Sequence, residues 1–479
     1  MIANPIIRRY RFSQLRPQQA WVFGGVYVAV VLLVLFINSS IYRYGQAYLT
    51  ATHLYKGLFV QFAILEIFLL WLLCPANCST VVAREIADKS FDFFRMLPLS
   101  AAKKAVGILI GRNLFCLLVA GVNLAFCLLF AFGGELSGQF IVQMLTILAA
   151  LTLALNLLAL MFSILNYKKT KNTSIPVLLV IGLFAFGPVM GGLIDSIGTQ
   201  KLETTTAYFY TFEAPVLYLI AFCALFVAFW AYIGVLRRFT YEYEALFSRT
   251  GSGLFMLTYL VMLGGLFYVY LLEANDPDPA RVFWMLGLLP AAVVPLFAIR
   301  GFDRYLETSR TAHRVEGLFG RLLIHSNLTG GLMLFVIWLA FAIAAGVTAR
   351  ADAAELLWLA MIAFSALLVI WALVETTAVW QPRNEKIGYL LGFLAVLYIV
   401  LPFILGGIFE NEMMYLFSPL GVVNVFDSHY SAPILLMPIF FNLICLLPLG
   451  ILIAKRYFDL VAIRTQIEHT QDMSPRLGS

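Results

Sequence analysis

The sequence predicts an all-α polytopic membrane protein with about twelve transmembrane helices and both termini in the cytoplasm. Of its 479 residues, 62% are hydrophobic and only 12% are charged, whereas a soluble domain usually carries about 25% charged residues. A soluble chain this apolar would expose large hydrophobic patches, which lipid covers in a membrane. The apolar residues form unbroken stretches and do not alternate with polar ones, so helices rather than a β-barrel are predicted to cross the bilayer.

Twelve stretches are long enough to span, since about 17–25 apolar residues are needed to cross the hydrocarbon as a helix. They lie at residues 21–37, 57–82, 105–132, 140–166, 175–194, 214–236, 253–272, 282–299, 329–347, 356–380, 387–408 and 432–454. We expect the first of them to be a retained span, because no small-residue cleavage site of a signal peptide is evident after it.

The basic residues predict the orientation. With the amino terminus in the cytoplasm, 27 of the 32 Lys and Arg residues fall in cytoplasmic segments, which is the positive-inside pattern. One missed span would reverse the predicted side of every later loop, and the excess of basic residues on the cytoplasmic side would disappear. The net charge of +6 is therefore explained by the cytoplasmic face of an inner membrane, and no nucleic-acid partner is expected.

The twelve spans divide into two sets of six, residues 1–236 and 237–479. Each set has a long inside loop, a short outside loop, a short basic inside loop and a longer outside loop, in that order and at an offset of about 215 residues. Six is an even number, so both halves would face the same way, as a parallel repeat does.

No catalytic or metal site is predicted. All six cysteines fall within predicted spans, and Cys74 and Cys78 lie one helical turn apart. Such a pair can bind a soft metal, but we interpret it as small residues that pack inside a helix. No phosphate-binding glycine loop and no Cys/His metal spacing occurs, so no enzymatic activity is expected of this chain.

The amino terminus predicts a short helix in the membrane interface. Asn4 can cap it, with Pro5 at its first position. The apolar face would lie in lipid and the arginines at anionic headgroups. The residues of this interfacial helix are Ile6, Ile7, Arg8, Arg9, Tyr10 and Arg11.

The long inside loop of the first half predicts a second amphipathic helix, at residues 84–97. Ile86, Phe93, Phe94 and Leu97 fall on one face of it, and charged residues fall on the other. Pro98 would end this helix and Ser100 would cap the third span. A helix of this form, tied at both ends to spans, could transmit the motion of a cytoplasmic partner, or it could be a simple connector.

The order of these segments resembles the permease subunits of type-2 ABC exporters. The resemblance covers residues 1–236, and its specific part is residues 75–112. There the chain has Pro75, the pair Arg84-Glu85, Ser90, Asp92, the pair Phe93-Phe94, the run Pro98-Leu99-Ser100 and Gly107.

The resemblance implies that residues 84–97 are a coupling helix that docks on a separate ATP-binding subunit, and that the amino-terminal helix is the elbow helix. ATP and Mg would then bind the partner, and this chain would hold no cofactor. The implied coupling residues are Arg84, Glu85, Asp88, Ser90, Asp92, Phe93, Phe94, Pro98, Leu99 and Ser100. Permeases of this family commonly have six spans and pair as dimers, so the chain would form a homodimer or a fused pseudo-dimer. The inside loop of the second half, residues 300–325, lacks the Leu-Pro-Leu-Ser ending.

Two acidic residues fall inside predicted spans, Glu66 in the second and Glu375 in the tenth. A carboxyl at this depth is unfavourable unless it faces protein or water. Either residue could bind substrate or protons, as in a proton- or ion-coupled secondary transporter, or could be a hydrogen-bonded structural residue; for Glu375 we favour the structural role. A membrane enzyme acting on lipid-linked substrates would instead need a polar cluster outside. The only such group, Glu410, Glu412, Asp427 and His429, is typical of a solvated loop.

Overall fold

The computed structural model describes residues 4–15, 17–44, 50–87, 97–165, 205–240, 246–273, 278–297, 305, 317–350, 352–380 and 432–473. Within these ranges, nine helices are long and apolar enough to cross a membrane. The protein is therefore a multi-pass helical membrane protein. Its contacts divide it into two compact units, the first formed by Met1–Ala207 with Glu213–Glu242 and the second by Tyr208–Phe212 with Tyr243–Ser479.

The described helices of the first unit are α-helices with one π-helical turn. The elements are α1 (Pro5–Gln14), α2 (Pro17–Tyr44), α3 (Ala51–Ile67), the π-helical turn (Phe68–Leu73), α4 (Cys74–Ser79), α5 (Val81–Ala87), α6 (Ala101–Arg112), α7 (Leu114–Gly133), α8 (Gly138–Leu165) and α9 (Val216–Thr240). The run from α3 through α4 forms one span, Ala51–Ser79. The helices α8 and α9 pack along each other. Both carry buried alanines, such as Ala154 and Ala228, and small residues of this kind allow close helix packing.

The second unit is also helical. Its elements are α10 (Arg249–Glu273), α11 (Asp278–Phe297), α12 (Leu318–Ile324), α13 (Asn327–Thr348), α14 (Ala353–Trp380) and α15 (Ala432–Met473). Three fully buried tryptophans, Trp284, Trp338 and Trp371, occupy its core. Each donates its indole N–H to a backbone carbonyl, of Ala342, Trp284 and Ala291 respectively, so large aromatic side chains are buried without an unpaired donor.

Two helix pairings recur in both units, each unit taken by itself. In the first unit the second span (α3) packs on the third (α7), and the fourth (α8) packs on the sixth (α9). In the second unit the corresponding contacts are α11 with α13 and α14 with α15. A parallel repeat would give these two shared pairings, but the third span packs on the fourth in the second unit only (α13 with α14). The repeat and the orientation in the membrane stay predictions.

Nine of the twelve predicted spans overlap the nine long apolar helices. The eighth corresponds to the shorter apolar segment Pro279–Pro295, and the predicted spans at 175–194 and 387–408 lie outside the described residues. The count of twelve therefore stays a prediction. The third span begins at Leu114 and not near residue 105, because a turn at Asn113 separates α6 from α7.

A short hairpin departs from the all-helical expectation. Strands β1 (Thr206–Phe209) and β2 (Phe212–Pro215) pair within the segment that we predicted to be an outside loop. Thr206 Oγ1 donates to Glu213 Oε1 across the pair at 2.5 Å. Threonine and aromatic residues favour extended backbone, and a two-residue tip suffices to close a hairpin.

Candidate functional site

The amino-terminal helix α1 has the start that the sequence predicted. The side chain of Asn4 accepts a hydrogen bond from Ile6 N at 3.0 Å, and Pro5 is the first helical residue. Asn4 also donates through Nδ2 to Lys103 O at 2.8 Å. The cap therefore starts α1 and ties it to α6.

The inner face of α1 lies on protein. Ile6 is 0% exposed and Tyr10 is 3% exposed, and they pack over Gly107 and Gly111, which are four residues apart on α6. A Cβ at Gly107 would lie 3.0 Å from Ile6 Cβ, and one at Gly111 would lie 2.6 Å from Tyr10 Cδ2. The prediction that this apolar face lies in lipid is wrong for Ile6 and Tyr10, since two glycines open a groove that receives them. Ile7 is half-buried, while Arg8 and Arg11 are exposed.

Glu85 of α5 is held by α1. Arg9 Nη2 lies 3.0 Å from Glu85 Oε2, and Tyr10 donates its hydroxyl to Glu85 Oε1 at 2.7 Å. Burial, together with the neighbouring carboxylate, raises the pKa of Tyr10 well above its ordinary value of 10, so its hydroxyl remains a donor. Of the predicted coupling pair, Glu85 thus faces α1, and Arg84 is exposed.

The far end of the predicted coupling segment is also described. Pro98 and Ser100 are exposed and Leu99 is half-buried. Ser100 Oγ accepts from Lys103 N at 3.3 Å, so the predicted cap is confirmed, at the start of α6. Between these ends, Asp88, Ser90, Asp92, Phe93 and Phe94 lie outside the described residues.

The intramembrane carboxyl of Glu66 is 2% exposed and accepts one hydrogen bond, at Oε2 from Asn123 Nδ2 at 2.8 Å. Asn123 Nδ2 also donates to Phe62 O at 2.9 Å, and Tyr27 donates its hydroxyl to Asn123 Oδ1 at 3.2 Å. Among the described residues, Oε1 of Glu66 has no hydrogen-bond partner and the carboxyl has no cationic partner. Glu66 lines a cavity between α3, α7 and α8.

A second polar cluster lies in the same unit. Asn113 Nδ2 donates to Asn156 Oδ1 at 2.9 Å and to Cys78 Sγ at 3.1 Å. All three residues are buried, so the cluster ties the start of α7 to α8 and α4. Cys78 thus takes part in a hydrogen-bonded packing contact. Within the described ranges, no three His, Cys, Asp or Glu side chains converge as a metal site would require.

Glu375 of the second unit is 0% exposed and saturated with donors. Its Oε1 accepts from the hydroxyls of Tyr305, at 2.6 Å, and Tyr457. Its Oε2 accepts from Asn327 N at 2.8 Å and Asn327 Nδ2 at 2.9 Å. Four hydrogen bonds satisfy both oxygens and join α13, α14 and α15, as expected of a structural glutamate.

Sequence reasoning singled out both glutamates but missed their hydrogen-bond partners, and it also missed the polar cluster that contains Asn156. Asn123 and Asn156 are polar residues inside long apolar stretches, so the criterion that singled out the glutamates could have found them. The glycine spacing of 107 and 111 could have indicated the groove. Nothing local marks Tyr305 or Tyr457.

Comparison of the chain with protein-family models, with curated proteins and with solved structures finds no match. The likeness to type-2 ABC exporter permeases therefore depends on the order of motifs in residues 75–112 alone.

Proposed function

We propose that this chain is the transmembrane permease subunit of an ATP-driven ABC exporter in a cytoplasmic membrane. It would work by alternating access, coupled to a separate ATP-binding subunit that holds ATP and Mg. Nucleotide binding would close the partner and push the coupling segment at residues 84–97, which would switch the helices between inward- and outward-facing states. The proposal includes twelve spans with both termini inside, formed as two halves of one chain or completed by a second copy.

The observation that carries the proposal is the junction of α1, α5 and α6. Glu85 is tied to Arg9 and Tyr10, and α1 lies in the glycine groove of α6. The predicted coupling segment therefore begins at an anchored residue, and Arg84 beside it is exposed. A segment that receives force from a partner needs such an anchorage, because a loosely held end would absorb the motion.

The test is co-purification with the ATP-binding-cassette protein encoded nearest to this chain. Arg84→Glu, and deletion of Phe93 with Phe94, should abolish recovery of the partner or the stimulation of its ATPase activity. Arg11→Glu is the matched control, because it reverses an exposed arginine of α1 outside the predicted coupling segment. Equal recovery and equal stimulation in all variants would contradict the proposal.

The second candidate is a proton- or ion-coupled secondary transporter, and it is favoured by the Glu66 oxygen that lacks a partner among the described residues. A carboxyl that changes its proton or ion during transport needs such an uncommitted oxygen. Transport into liposomes driven by an ion gradient, with no ATPase present, would support this candidate against the first.

A further inference from the structure

The cavity beside Glu66 is almost entirely apolar. It has a volume of about 40 Å³, enough for about three water molecules, and about 510 Å³ is free of atoms when its open side is included. Its described lining includes the aromatic side chains Phe59 and Trp71 and the aliphatic side chains of α7 and α8. Glu66 is the one carboxylate among the described lining residues.

This carboxylate is uncompensated by the described residues. Its Oε2 accepts from Asn123, while neither a donor at Oε1 nor an ion-pair partner occurs in the part of the chain that the structure describes. A charged carboxylate at this depth is unfavourable without a neutralising partner. A proton or a cation that enters the cavity would supply that partner.

The residues that line the cavity favour some kinds of cation over others. A hard metal ion such as Mg²⁺ or Ca²⁺ takes six or more oxygen ligands, and this lining offers a single carboxylate. Aromatic side chains attract organic cations, and aliphatic walls favour an apolar body over a hydrated one. The composition therefore suits an ammonium group with an apolar body.

The carboxylate is also held in place for such a ligand. Asn123 donates to both Phe62 O and Glu66 Oε2, and Tyr27 fixes the orientation of its amide. A preorganised counter-ion gives affinity that a mobile side chain would lose to ordering. The π-helical turn Phe68–Leu73 follows directly after α3 and carries Trp71, and such turns often occur at functional sites.

We propose that this cavity binds a lipophilic organic cation, with Glu66 as its counter-ion; the ammonium group would enter the enclosed part, and the apolar body, which is too large for it, would lie in the open side. The substrate class follows only if the chain is a transporter, as proposed above; binding itself does not depend on a partner subunit.

The experiment measures binding of benzyltrimethylammonium to the purified full chain in phosphatidylcholine nanodiscs by calorimetry. Benzyl alcohol is the neutral comparison ligand. We expect Glu66→Gln to weaken binding of the cation about tenfold or more, equivalent to about 1.4 kcal/mol. Ala63→Leu keeps the carboxylate but fills the cavity, and should weaken binding to a similar extent. Ala51→Leu, the same change at the exposed start of α3, should leave affinity unchanged.

Acidification should weaken binding to the unaltered chain, because a proton competes for the carboxylate, and should leave Glu66→Gln unaffected. Equal affinity of the unaltered chain and Glu66→Gln would overturn the proposal. The proposal would also be overturned if benzyl alcohol bound as tightly as the cation. It would be overturned as well if the cavity bound only protons or Na⁺. The binding measurement contains no ATPase, so its result does not depend on the partner subunit. Cation binding can fail although the ATP-binding subunit co-purifies, and cation binding can succeed although it does not. The two proposals are therefore tested separately.

Discussion

Glu375 of the second unit accepts four hydrogen bonds, whereas Glu66 of the first unit accepts one. Both carboxyls are buried in long apolar helices, so sequence position alone gives them the same status. Their surroundings differ: Glu375 joins three helices, and Glu66 borders a cavity. The comparison teaches that an intramembrane carboxyl is a candidate for ligand binding only where one of its oxygens accepts no hydrogen bond from the described residues.

The polar residue at the start of the third span of each unit, Asn113 before α7 and Asn327 in α13, also has different partners in the two units. Asn113 donates to an amide and a thiol, while Asn327 donates twice to the carboxyl of Glu375. Two helix pairings recur in both units, but the polar side chains placed on them differ. We therefore expect substitutions to impair folding most in the second unit and ligand binding most in the first.

The largest difference is expected between Glu375→Leu and Glu66→Leu. Removing Glu375 strands the buried donors of Tyr305, Tyr457 and Asn327, at about 1–3 kcal/mol each, so stability should fall by on the order of 4 kcal/mol or the chain should not fold. Glu66→Leu strands only Asn123, which keeps its bond to Phe62 O, and should cost about 1 kcal/mol or less. Thermal unfolding in detergent, followed by size exclusion, measures both. Equal losses would remove the distinction between the two glutamates.

Gly331→Ala should cost about 1–3 kcal/mol or more, because its Cβ would overlap the ring of Trp371 within the second-unit core. Gly330→Ala is the neighbouring control. A Cβ there meets nothing within 4 Å, so alanine should be neutral or stabilise α13 by up to about 1 kcal/mol. The same unfolding measurement applies. Equal stability of the unaltered chain and Gly331→Ala would show that the core around Trp371 can accommodate the added methyl group.

Asn327→Ala should destabilise the protein more than Asn113→Ala, by about 2 kcal/mol against about 1 kcal/mol. The first change removes a donor from a saturated carboxyl, and the second removes one from a neutral cluster. Chemical unfolding of the two variants gives the comparison. The opposite order would show that the polar cluster of the first unit is the more important for stability.

Tyr10→Phe should have the smallest effect, about 1 kcal/mol, because Glu85 keeps Arg9. The pH dependence has a defined sign. The folded pKa of Tyr10 lies above the ordinary value of 10, so above about pH 10 the unfolded state loses a proton that the folded state retains, and α1 should detach more easily as pH rises. Protease accessibility of α1 measures this, and Tyr10→Phe should remove this contribution. A variant that keeps the full pH dependence would assign it to another group.

Local features could be predicted from the sequence because the information is local. The caps at Asn4 and Ser100 depend on residues within three positions, and Glu66 and Glu375 stand out within their own apolar stretches. Partners were not predictable, because they lie far along the chain: Tyr457 is 82 residues from Glu375, and Tyr10 is 75 residues from Glu85. Periodicity states which face of a helix is apolar, but not whether lipid or another helix covers it, and so Ile6 and Tyr10 were misassigned.

The docking of α1 has a consequence for biosynthesis. Asn4 binds a carbonyl 99 residues later in the chain, and the groove at Gly107 and Gly111 is made only after the two spans that precede α6. At about 5–20 residues per second, α1 leaves the ribosome about 5–20 s before its binding groove exists. During that interval its apolar face has only the membrane surface to cover it, so lipid would act as a temporary chaperone for a helix that finally rests on protein.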